Sequence, residues 1–167
     1  MTLGLLTLHL LSVAAIAVTV FYGIHIPEGG GAFGRHFIFA LIASMLAVFT
    51  HTMTYFYFVG MGSNLKRAVE EHGRGRDRLS SSRVLKAKVL PWAFGGMALL
   101  MATFILGGGA HTRAIPSWIH SGLGYLSLGY SFVALLVEGY FLLQQNRLVN
   151  AFQRELVGVR ERNAEIS

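Results

Sequence analysis

The chain of 167 residues contains no cysteine but seven histidines: His9, His25, His36, His51, His72, His111 and His120. Neutral imidazole ligates transition metals and haem iron and exchanges protons near neutral pH, so histidine has the widest chemical reach in this sequence. The absence of thiols removes disulfides, thiolate catalysis, covalent c-type haem attachment and Cys-ligated iron–sulfur clusters. The sequence also lacks a glycine-rich phosphate loop, an H-E-x-x-H pair and a G-x-S-x-G elbow. Nucleotide binding and hydrolysis therefore have no motif behind them. No two histidines share the tight H-x-x-x-H spacing of a helical metal pair, so any histidine site must be assembled by the fold.

The elements that must do this are apolar. Hydrophobic residues make up 53% of the chain and charged residues 13%, against about 25% charged in a soluble domain. Residues 1–27, 36–65, 89–112 and 114–137 carry no charge when His is counted as neutral. Each stretch reaches the roughly 20 residues that a helix needs to cross a bilayer. The fold expected is all-α: an integral membrane bundle of four transmembrane helices within residues 1–143. The spans run from about Leu3 to Tyr22, His36 to Gly60, Pro91 to Ala110 and Ser117 to Leu143. Phe21, Tyr22, Trp92, Trp118, Tyr140 and Phe141 lie near these ends, where aromatic rings favour the headgroup region. No Lys or Arg precedes Ala14, Ala15 and Ala17, so a cleaved signal peptide lacks its positive start and the first span is expected to be retained.

Basic residues set the orientation. Twelve Lys and Arg fall in the segment 61–90 and the tail 144–167, against Arg35 and Arg113 on the opposite side. The positive-inside rule then places both termini and the basic loop 61–90 in the cytoplasm. A bacterial or archaeal inner (cytoplasmic) membrane is the expected location. The net charge of +6 thus reads as lipid orientation, with no nucleic acid partner. Residues 64–72 read as an overrun of span two, and Ser80–Ser82 as the cap of a helix leading into span three. In the tail, Leu148, Phe152, Leu156 and Val159 recur at helical steps. This amphipathic helix either packs on the basic loop or a partner, or lies on the membrane surface.

Ionisable groups inside hydrocarbon are costly and usually face a bundle interior. His9, His51 and Glu138 are the three that qualify. At 1.5 Å per residue they lie about 10, 14 and 8 Å from the inner ends of their spans, so antiparallel packing brings them towards one layer. Each has a plainer role: His9 as an interfacial histidine, His51 as a hydrogen-bond partner of Thr50, Thr52 or Thr54, Glu138 as a snorkelling partner of Arg147. His36 and His51 are separated by about 22 Å along span two and by roughly 60° around it. One histidine in each leaflet is what two stacked haems would require. His9 is the intramembrane choice of partner for His51; His120 or His111, with His25 in reserve, would serve His36. A faint repeat strengthens the outer set, since Gly23-Ile24-His25 then His36 parallels Gly109-Ala110-His111 then His120. Gly95, Gly96, Gly122, Gly124 and Gly129 could make room for a macrocycle or simply let helices pack closely.

His36 and His51 on one span, with His9, His111 and His120 on others, make the chain resemble the four-helix bis-histidine b-type cytochromes, the membrane subunits of respiratory quinone enzymes. The likeness is architectural and covers most of the chain. It departs at Leu135, fifteen residues beyond His120, where a second ligand on span four would be expected. The resemblance implies one or two haem b groups, quinone and other membrane or peripheral redox subunits as partners, and Glu138 as a proton group near a quinone. It points to an electron-transfer or accessory subunit rather than a stand-alone enzyme. Two other classes fit the same residues: a cofactor-free structural subunit of a larger membrane complex, and a proton-coupled carrier or metal-ion path through His9, His51 and Glu138.

Overall fold

The computed structural model describes residues 1–25 and 31–166. The glycine-rich turn of the first hairpin and the side chain of Arg160 lie outside the described residues. Four helices follow in order: α1 (Thr2–Ile24), α2 (Gly31–His72), α3 (Arg76–His111) and α4 (Ser117–Ile166). All four are long and apolar enough to cross a membrane. Each packs on its neighbours in sequence, α1 also packs along α4, and α1 and α3 stand across the diagonal.

The helices turn small and polar residues inward. Buried positions recur at helical steps: Leu5, His9, Ser12 and Ile16 on α1, and Val89, Ala93, Gly96 and Leu100 on α3. On α4 the buried face carries Ser127, Ser131, Ala134, Glu138, Leu142 and Gln145. Larger apolar side chains point outward, with Met45, Ile105 and Leu136 each more than half exposed. Small inward residues let backbones approach closely, the packing that suits helices whose outer faces meet hydrocarbon.

Two apolar layers enclose a polar one. Ile16, Ala43, Ala47 and Leu100 form one; Leu5, Tyr57, Phe58, Val89 and Leu142 form the other. Between them in sequence lie His9 on α1 and His51 on α2, and Glu138 precedes Leu142 by one helical turn on α4. Hydroxyls tie α1 to α2 along this stretch: Ser12 Oγ meets Thr50 Oγ1 at 3.0 Å and Thr2 Oγ1 meets the Tyr57 hydroxyl at 3.1 Å.

The basic segment 61–90 is not a loop. The overrun of span two through residues 64–72 is as expected, but α3 begins at Arg76, so only Gly73, Arg74 and Gly75 connect the helices. Ser80–Ser82 consequently lie inside α3 and cap nothing. The reversal is made by Gly73 (φ 65) and Gly75 (φ 84), in the left-handed region that glycine enters without steric cost. Asp77 in the first turn of α3 complements the helix dipole, and Ser82 accepts a 2.9 Å hydrogen bond from Gln145 Nε2 of α4.

The tail is likewise no separate unit, because α4 continues unbroken from span four. Its apolar stripe packs on the ends of α2 and α3: Phe152 joins Leu65 and Val69, flanked by Leu79, Leu148 and Leu156. Arg78 of α3 pairs with Glu155 of α4 across the same junction. Of the two placements open for the tail, the described residues take the packed one.

Candidate functional site

Two histidine layers occupy the bundle. The deeper one draws on all four helices. His9 comes from α1, His51 from α2 and Glu138 from α4, with exposures of 3%, 3% and 0%. His51 Nδ1 lies 2.8 Å from Glu138 Oε1, and His9 Nε2 lies 3.2 Å from Glu138 Oε2. The two imidazole centres are 5.5 Å apart with planes inclined at 68°, so the carboxylate bridges them. One donor atom from each residue falls within 4.8 Å of the other two. α3 contributes by omission: a Cβ on Gly96 would sit 2.6 Å from His51 Nε2, so the ring rests directly on the α3 backbone.

The hydrogen bonding of this layer is incomplete. His9 Nε2 meets Thr54 Oγ1 at 3.0 Å. His51 Nδ1 and both Glu138 oxygens, by contrast, are buried without a directed hydrogen bond. The imidazoles of His51 and His9 nonetheless stand at ion-pair distance from the carboxylate, 2.8 and 3.2 Å away. A buried carboxylate needs a compensating positive charge as well as donors. A proton on an imidazole or a bound cation would supply it.

This geometry decides among the plainer roles. His9 is buried within the bundle, bonded to Thr54 and facing Glu138. Glu138 neither snorkels nor pairs with Arg147. His51 faces Glu138, and the threonine hydrogen bond expected for it belongs instead to His9.

The second layer lies toward the opposite end. His36 of α2 and His120 of α4 approach with ring centres 6.1 Å apart and planes at 79°. His36 Nδ1–H donates to the Thr19 carbonyl at 3.1 Å. Because a carbonyl only accepts, this assigns the proton to Nδ1 and leaves the Nε2 lone pair free. Among the described residues His120 Nδ1 is buried without a partner. Each ring again backs onto glycine: a Cβ on Gly23 would lie 3.0 Å from His36, and one on Gly107 would lie 2.8 Å from His120.

The remaining candidates stand apart from the pair. His111 is exposed and stacks on Phe33, with centres 3.7 Å apart and planes at 11°. His25 is exposed and bonds its own helix through the Phe21 carbonyl at 2.8 Å. Gly122 and Gly129 face open space and Gly124 touches only Val20, so these three glycines accommodate no imidazole. Gly95 adjoins the Tyr130 hydroxyl instead. Gly23 and Gly107, as the backing of the outer rings, are the contributors that sequence reasoning missed. Thr54, expected only as a partner of His51, stands three residues after it on the same helical face and meets His9 instead. No protein-family model, curated protein or solved structure matched the chain.

Proposed function

We propose that this chain is an integral membrane electron-transfer subunit, b-type cytochrome-like, that holds one haem between His36 and His120. Four apolar helices with outward-facing aliphatic side chains support insertion in a bilayer. The basic end, with both termini, faces the cytoplasm by the positive-inside rule, and a bacterial or archaeal inner membrane is the setting.

The observation that carries the reading is the outer pair. His36 of α2 and His120 of α4, with ring centres 6.1 Å apart, are the two imidazoles that would hold the haem iron. The donor chemistry also fits: two imidazoles, no carboxylate between them, and on His36 a free Nε2 held in orientation by the Thr19 carbonyl. The inner layer does not fit a haem in the same way, because Glu138 occupies the gap between His9 and His51. One haem, rather than two, is the reading this supports.

Haem with two imidazole ligands exchanges a single electron and has no open position for oxygen chemistry. The protein's own contribution is to hold the imidazoles. Gly23 and Gly107 let the rings lie close to neighbouring helices, and the Thr19 carbonyl fixes one tautomer. Quinone is the small-molecule partner proposed, and other membrane or peripheral redox subunits are the macromolecular ones. Purified protein should show the Soret band and reduced α band of bis-imidazole haem, lost in His36→Ala. A stable, colourless protein from a haem-replete host would overturn the reading.

A further inference from the structure

We propose that His9, His51 and Glu138 form a binding site for one divalent transition-metal ion, separate from the haem site and not dependent on it. Two imidazoles and one carboxylate are the donor set of many zinc and non-haem iron sites. Ligands about 2.0–2.2 Å from a tetrahedral ion stand about 3.3 Å apart. Here the carboxylate oxygens lie 2.8 and 3.2 Å from the two ring nitrogens, a spacing that a small outward adjustment converts to coordination.

The alternative occupant of such a triad is a shared proton. A shared proton serves one nitrogen–oxygen contact, whereas a cation is met by all its donors at once. Here both imidazoles reach the one carboxylate, at 2.8 and 3.2 Å, and one donor atom from each of the three residues falls within 4.8 Å of the other two. Three buried donors from three helices that converge in this way fit a cation between them. The ion would also neutralise the carboxylate in a layer closed above and below by apolar side chains.

The neighbours are arranged for that task. Thr54 Oγ1, 3.0 Å from His9 Nε2, is the next oxygen available to the ion or to the ring. Gly96 lets His51 lie against α3, so that Nδ1 rather than Nε2 meets the carboxylate. The N₂O set suits Zn(II), Fe(II) and Co(II) better than Mg(II) or Ca(II), which favour all-oxygen sites.

The test uses the full chain in detergent, freed of loose metal by a chelator and then given Co(II) or Zn(II). Metal is counted per chain, with haem iron determined separately and subtracted. Wild-type protein should bind about one ion, and Co(II) should give visible d–d bands of low-coordinate cobalt. Glu138→Gln, which keeps the side-chain shape, should weaken binding at least tenfold, as should His51→Ala; His36→Ala should leave it unchanged. A wild-type cobalt spectrum indistinguishable from the free aquo ion would overturn the proposal without reference to any variant. So would equal binding by the Glu138→Gln protein.

Discussion

The two histidine layers share a construction and differ in charge. In both, an imidazole of α2 faces a group from α4 and rests closely against a glycine of a neighbouring helix. In the deeper layer the α4 residue is a carboxylate, exposure falls to between 0% and 3%, and three helices contribute donors. In the outer layer the α4 residue is a second imidazole, both rings are half-buried, and no carboxylate intervenes. Glu138 against His120 is thus the contrast that divides the bundle. A carboxylate makes one layer a place for positive charge; two imidazoles without a carboxylate between them make the other the layer to which the proposed haem is assigned.

The largest expected effect follows from that division. His120→Ala should abolish the haem spectrum, whereas His51→Ala should retain it with little change in band position. Equal loss from both substitutions, in folded protein, would merge the two layers into one functional site.

Next in size is the cost of leaving Glu138 short of a partner. Removing one member of a buried charged network typically destabilises by about 3–5 kcal/mol. His51→Leu should lower thermal stability on that scale in metal-free protein, and adding Glu138→Leu should recover much of the loss. A double-mutant cycle with no coupling would show that the carboxylate and imidazole do not interact.

The glycine contacts give smaller effects and a control. Gly96→Ala places a methyl carbon 2.6 Å from His51 Nε2, and overpacking of this kind costs about 1–3 kcal/mol. Gly107→Ala should perturb the outer layer instead, visible as a shifted or broadened α band. Gly122→Ala meets nothing within 4 Å. It should be neutral, or stabilising by up to about 1 kcal/mol through helix propensity. Destabilisation at Gly122 as large as that at Gly96 would break the correspondence between glycine and histidine.

Much of the deeper layer could be read from spacing alone. His9, His51 and Glu138 each sit a countable distance from a charged boundary, and antiparallel helices convert those counts into a shared depth. The face presented by each residue also follows from the helical period, which is why the convergence of the three was foreseeable. What holds the rings in place was not. Whether Gly23 or Gly122 lies beside an imidazole depends on the axial register between helices, and no single-helix pattern encodes that. His120 and His111 were similarly indistinguishable in sequence; a short difference along the chain put His111 at the exposed end of α3, against Phe33.

The basic end failed to read correctly for a different reason. The three serines at 80–82 resemble a helix start more strongly than Arg76 does. Tertiary bonding overrode that preference, since Ser82 has its own partner in Gln145. Gly75 meanwhile completes the three-residue turn against the Phe152 ring.

The most direct test of the account is the haem-to-chain ratio of the purified full-length protein, measured by pyridine haemochromogen against quantitative amino-acid analysis. One haem per chain, falling to zero in both His36→Ala and His120→Ala and unchanged in His9→Ala, is the result predicted. A ratio of two, or a haem that survives loss of the outer pair but not of His9, would contradict it.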